Sequence, residues 1–179
     1  MRAIVIYESM YGNTHAIADA IARGLGQGND VAVVQVAEAS PELLAEASLV
    51  VAGGPTHVHG MSGARSRQAA VDAARKDGSG LTLDAPAEGP GLRDWFGTAG
   101  RMHGWGAAFD TRLDGPAVLT GHASKTIAKL LQRHGLAELA PAQSFLVSKD
   151  NRLRPGEEDR AEQWGRELAA KLPADTPSA

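Results

Sequence analysis

The stretch Ala3-Ile4-Val5-Ile6-Tyr7, running into Glu8-Ser9-Met10-Tyr11-Gly12-Asn13-Thr14, decides the fold. Its first half is an unbroken apolar run, the pattern of a strand buried on both faces, as in parallel sheets. Just beyond it, Ile17, Ile21 and Leu25 recur at helical spacing with Ala18 and Ala22 beside them. Residues 8–14 are therefore a tight strand-to-helix turn. Such a turn aims backbone N–H groups and the positive end of the helix dipole at one point, which suits an anion. Ser9, Asn13 and Thr14 would add short side-chain donors, and Gly12 would let the backbone come close to the ligand. No Lys or Arg lies in the turn. Hydrogen bonds alone would hold a phosphate dianion there, which suits a terminal monophosphate better than a triphosphate with magnesium. The turn is neither Gly-Lys-Ser/Thr nor Gly-x-Gly-x-x-Gly. An ordinary capped turn is the plain alternative.

Further apolar runs follow at 31–36, 49–53 and 145–147, with a shorter one at 107–109. Helical spacing lies between them. Ser124 is expected to cap a helix holding Ile127, Leu130 and Leu131, with Gly135 as its stop. Ala161, Trp164, Leu168 and Leu172 line a helix opened by Pro155 and an acidic first turn. Strands alternating with helices predict an α/β fold: a doubly wound parallel sheet covered on both faces. One domain is expected over 1–172. Within it, 77–91 is Gly-, Pro- and Asp-rich without periodicity and reads as an exposed insertion, and 93–105 as partly irregular. Residues 173–179 read as a flexible tail.

The 179 residues carry 18 basic and 21 acidic side chains, a formal net charge of −3 that argues against nucleic acid as a partner. With no cysteine in the chain, disulfides, thiolate nucleophiles and Cys-ligated metal are excluded. The apolar run at 3–7 is far too short for a membrane span or a signal-peptide core, so a cytoplasmic protein without membrane contact is expected.

The run Ser-Met-Tyr-Gly-Asn-Thr at 9–14 resembles the phosphate loop of the flavodoxin family, with Tyr11 where that family usually has Thr. The resemblance extends over almost the whole chain. It implies a flavodoxin-like three-layer sandwich, a five-stranded parallel sheet of order 2-1-3-4-5, and non-covalent FMN as cofactor. The cofactor-binding residues it implies are Ser9, Met10, Tyr11, Gly12, Asn13 and Thr14 at the phosphate. Pro55, Thr56, His57, Val58 and His59 would line one side of the flavin, in the loop after the third strand. Asp110, Thr111 and Arg112, after the fourth strand, would lie across the ring, with Arg112 stabilising negative charge on the reduced flavin. The aromatic residue and glycines that the family usually places in these loops are absent, which implies a more exposed ring. His57 and His59 could also face one metal ion, but no third ligand is near and no metal is expected.

The resemblance implies an electron-transfer protein serving a redox partner protein or a small-molecule acceptor, with no catalytic side chain. Two alternatives stand beside it. One is an FMN-dependent NAD(P)H or quinone-type reductase, in which the 77–91 insertion with Trp95, His103 and Trp105 would wall a substrate pocket. The other is a degenerate flavodoxin-like fold without flavin, acting through protein contacts.

Overall fold

The computed structural model describes residues 1–173 other than Gln27, Val58 and Pro86, with Ala117 described by its backbone alone. The first half of the chain forms β1 (Arg2–Tyr7), α1 (Asn13–Leu25), β2 (Asp30–Gln35), α2 (Pro41–Ala45), β3 (Leu49–His57), β4 (Gly60–Met61) and α3 (Ala64–Ala74). The second half forms α4 (Leu92–Thr98), β5 (Trp105–Leu113), α5 (Ala117–Thr120), α6 (Ala123–Arg133), β6 (Ala137–Glu138), β7 (Gln143–Val147) and α7 (Glu157–Lys171).

Alternation along β1 sets the layers. Ile4 and Ile6 face one side, while Ala3, Val5 and Tyr7 face the other, and all five are buried. On the first side they meet Leu44, Leu92, Trp95, Phe96, Ile127 and Leu131, from α2, α4 and α6. On the second they meet Ile17, Ile21 and Leu25 of α1 and Ala161, Trp164 and Leu168 of α7. The result is a three-layer α/β sandwich.

The five long strands pair in parallel in the order β2-β1-β3-β5-β7. That is the expected 2-1-3-4-5, with β5 and β7 as its fourth and fifth strands. The edge is broken in two: β6 pairs with Trp105 and Gly106 at the start of β5, and β7 pairs with its second half. Pro141 lies in the gap, where it can give no ladder N–H.

The structure corrects several local expectations. β3 runs on to His57, because Gly54 and Pro55 continue the ladder against Asp110 and Thr111, and β4 then folds back antiparallel onto Thr56 and His57. Ser124 does not cap α6; it sits inside the first turn, and its N–H donates to Asp110 Oδ2 at 2.7 Å. Gly135 does end that helix, at φ 105°. The stretch expected to be irregular holds α4, opened by a bond from the Gly91 N–H to Asp94 Oδ2 at 3.1 Å.

The 77–91 segment is mostly exposed but returns to the first turn of the fold. Asp84 N–H donates to the Met10 carbonyl at 2.9 Å, and Leu83 and Ala87 pack with Met10, Tyr11 and Val71. Of the expected tail, residues 174–179 lie outside the described residues. No described helix is long and apolar enough to cross a membrane.

Helices α1 and α7 lie together through Gly24 and Gly165. A Cβ on Gly24 would overlap the Glu162 carbonyl, and one on Gly165 the Ile21 carbonyl. Backbone meets backbone here, so no side chain can rotate away. Gly165→Ala should lower the unfolding free energy by about 2 kcal/mol or more, measured by urea denaturation, whereas the same change at exposed Gly97 in α4, which has open space, should be neutral or stabilise by up to about 1 kcal/mol.

Candidate functional site

Parallel strands deliver their carboxyl ends, and the loops that follow, to one edge of the sheet. Between β1, β3, β5 and β7 these loops enclose a crevice of about 110 Å³, lined by Ser9, Met10, Tyr11, Asn13, Thr14, Pro55, Thr56, His57, Thr111, Arg112, Leu113, Val147 and Asn151.

One wall is the turn after β1. Gly12 takes φ 89°, a left-handed conformation that suits glycine, and this turns the chain directly into α1. The first-turn N–H groups of α1 have no intrahelical acceptor and mark the positive end of its dipole. Ser9 Oγ accepts the Gly12 N–H at 3.0 Å, which leaves its own hydroxyl proton free to donate. Thr14 and Thr111, both buried, approach to 2.7 Å between hydroxyl oxygens. Only one of that pair can donate to the other, so the acceptor keeps a proton for a ligand. A Cβ placed on Gly12 would meet no described atom beyond its chain neighbours within 4 Å, so the space beside the turn is open.

Asn13 departs from its expected role as a phosphate donor. Its side-chain N–H₂ is bonded to the carbonyl and side-chain oxygens of Asn151, at 3.1 and 3.0 Å. Asn151 sits at φ 56°, where Asn is tolerated better than most residues. Together with Leu113 and Val147 it joins the crevice without having been anticipated. The one available signal was the Asp150-Asn151 turn pair directly after a strand that ends at the ligand edge.

The second wall is the β3–β4 corner. Pro55, Thr56 and His57 line the crevice, and Thr56 Oγ1 also accepts the Ala123 N–H of α6 at 3.0 Å. Burial holds His57 below the ordinary imidazole range; Glu8 works against that shift and Arg67 adds to it. Val58 lies outside the described residues. His59 does not line the crevice: its side chain is exposed, its φ is 71°, and its backbone bridges Gly121.

The third wall is the end of β5. Thr111 faces the crevice. Asp110 does not, because it is fully buried and its Oδ2 accepts from α6 instead. Arg112 lines the crevice, but its Nη1 donates to the carbonyls of Leu113 and Gly115, at 3.2 and 2.9 Å, and to Thr120 Oγ1 at 2.9 Å. Its Nε is buried and unpartnered among the described residues. Trp95 and His103 lie at a different cavity, of about 560 Å³, beside the start of β5 where Trp105 stands, at the amino end of the sheet. They cannot wall this crevice.

Glu8 anchors the walls. It is buried, and its carboxyl oxygens accept from Ser62 Oγ–H and from Leu92 N–H, the latter at 2.8 Å. Below the turn, Tyr7 stacks on His15 with ring centroids 4.4 Å apart. Its phenol is pushed up to about 12, by burial first and then by Asp84, Asp19 and Glu38.

An anion-sized cradle of hydroxyls at a helix N-terminus, flanked by the apolar Met10, Pro55, Leu113 and Val147, fits a ligand with a phosphate at one end and a flat apolar body at the other. Doubly wound folds of this strand order define such a site between their first and third strands. The sequence model of one family, Flavodoxin, matches residues 5–94, half of the chain, and the chain belongs to the flavodoxin family.

Solved structures agree in fold. A flavodoxin from the domain Archaea superposes with TM-score 0.64 at 22% identity, covering 96% of this chain and 98% of that one. Flavodoxin 1 from Bacillus cereus gives 0.65 at 17% identity, covering 97% and 100%. The Flv1 flavodiiron core from Synechocystis sp. PCC6803 gives 0.60 at 17% identity, covering 95% of this chain and 35% of that one. No curated protein matches the sequence.

Two outcomes follow from the walls. Glu8→Ala strands the Ser62 hydroxyl and the Leu92 N–H in the interior and should destabilise the fold by roughly 2 kcal/mol or more, with Glu8→Gln costing less, both measured by urea unfolding. For His57, the unfolded chain binds a proton near the ordinary value of 6.5 while the folded chain resists it. Stability should therefore be full above that value and fall as pH drops below it toward the depressed folded value. In His57→Gln that part of the pH–stability curve should flatten.

Proposed function

We propose that the chain binds FMN in this crevice and serves as a cytoplasmic electron carrier, exchanging electrons with a redox partner protein or a small acceptor. Ser9, Thr14, Thr111 and the first-turn N–H groups of α1 would hold the phosphate. Thr56, His57 and Arg112 would flank the rest of the ligand, with Leu113 and Val147 giving it apolar contact. The observation that carries this is the gathering of the Ser9, Thr14 and Thr111 hydroxyls at the N-terminus of α1, in a turn without Lys or Arg. Bound flavin supplies reversible one- and two-electron chemistry.

The protein's part is to bind, to orient and to limit water. Arg112 places positive charge beside the crevice, braced by its own loop. Neutral His57 adds a wall without adding charge. A carrier is favoured over a reductase because the tryptophans expected to wall a substrate pocket stand at the other end of the sheet.

Ser9→Ala and Thr14→Ala should each weaken FMN by about tenfold or more, the loss of one hydrogen bond to a charged group, and leave riboflavin binding nearly unchanged in a fluorescence-quenching titration. Equal losses for both ligands would place the phosphate elsewhere.

A further inference from the structure

Four large apolar side chains are exposed among the described residues, and three of them fall within seven positions: Leu113, Val118 and Leu119, at 53%, 93% and 68% exposure. They stand on the segment that leaves β5 at the crevice. That segment is braced. Arg112 Nη1 holds the carbonyls of Leu113 and Gly115 and the Thr120 hydroxyl. Asp114 N–H donates to the Val147 carbonyl at 2.8 Å, Arg154 pairs with Asp114 at 3.2 Å, and Gly121 bridges His59. This much polar bracing fixes a short apolar knob in water, which is a cost unless something covers it.

The surroundings of the knob are basic. Segments 112–125 and 148–154 carry five Lys and Arg residues against Asp114 and Asp150, in a chain whose net charge is −3. Asp114 is already paired with Arg154. Lys125, Lys149 and Arg152 are exposed and have no ion-pair partner among the described residues. The acidic first turn of α7 follows directly, its Glu157 N–H donating to the Arg154 carbonyl, but Glu157 is paired with Arg160 and Glu158 with Arg23.

We infer that this patch is the docking surface for a partner protein, one that presents an acidic face around an apolar recess able to take Val118 and Leu119. A second copy of the chain is disfavoured, because a two-fold contact would set the unpaired cations of one patch against the same cations of the other. A lipid surface is disfavoured too, because α5 is a single turn of four residues and offers no amphipathic length to lie in a bilayer interface. Apolar contact at the centre and opposite charge at the rim is the usual division of labour in a transient protein interface. The inference rests on the carrier function proposed above and names the chemistry of its partner.

The test uses the full chain, ¹⁵N-labelled, both FMN-free and with FMN added. It is titrated with an acidic [2Fe–2S] ferredoxin as probe and with basic cytochrome c as the charge-reversed control. Amide shifts at 113–121 and 148–154 should move with the ferredoxin and not with cytochrome c. The effect should fade on raising NaCl to about 0.5 M. The pair Lys149→Glu/Arg152→Glu and the pair Val118→Ser/Leu119→Ser should each weaken probe binding about fivefold or more, with unfolding and FMN affinity like the parent chain.

Shifts at the patch with cytochrome c, or none with either probe, would overturn the inference. So would co-sedimentation with phosphatidylserine vesicles, or a dimer abolished by Val118→Ser/Leu119→Ser. FMN titration of the same samples separates the two claims. Ferredoxin docking without FMN binding removes the flavin and keeps the surface, and FMN binding without docking does the reverse.

Discussion

The carboxyl group of Glu8 is the point on which the ligand edge of the sheet is assembled. It stands one residue past β1, buried, and accepts one hydrogen bond from Ser62 beyond β4 and another from the first N–H of α4. Three segments distant in sequence are fixed to one another through a single side chain. A buried carboxyl group is costly unless its oxygens are satisfied, which favours the arrangement that keeps all three segments in place, and Arg93 reinforces it by donating to the Met61 and Ser62 carbonyls. The Ser9–Thr14 turn inherits its place from this arrangement, and with it the direction in which α1 aims its N-terminus.

The polar groups around the crevice are engaged before any ligand arrives. Thr14 and Thr111 share one hydrogen bond, Asn13 is tied to Asn151, and Ser9 holds the turn through Gly12. Each contact fixes a side chain in one rotamer, which lowers the ordering cost of binding. The hydroxyl pair still leaves a proton to give. Asn13 and Arg112 are spent largely on architecture: one clamps the turn after β7 against α1, and the other stiffens the loop after β5.

Much of the fold was legible in the sequence because it rests on patterns that short windows carry. The apolar run at 3–7 and the four-residue repeat of Ile17, Ile21 and Leu25 specify a buried strand feeding a helix, and the same alternation recurs to the end of the chain. The phosphate turn with Ser9, Gly12, Asn13 and Thr14 was legible in the strand-turn-helix pattern itself, whereas the strand order and the crevice residues Pro55 to His57 came with the family resemblance. The roles that failed depend on partners distant in sequence. Nothing near Asp110 announces that its carboxylate caps α6, and nothing near Ser124 says that the helix is capped from the sheet. His59 is drawn out of the crevice by a backbone bridge to Gly121, 62 positions away. Asn151 escaped notice because its approach to Asn13 is a product of the packed fold. Trp95 and His103 were placed at the wrong end of the sheet, since the irregular 93–105 stretch gave no register from which to count.

The central claim is that the crevice recognises a flavin by its phosphate. The most direct measurement is the affinity of the unmodified chain for FMN and for riboflavin, followed by flavin fluorescence under identical conditions. With two or more hydrogen bonds to a charged phosphate, FMN should bind at least about a hundredfold more tightly, equivalent to about 2.7 kcal/mol. Equal affinities, or no binding of either flavin, would contradict the account.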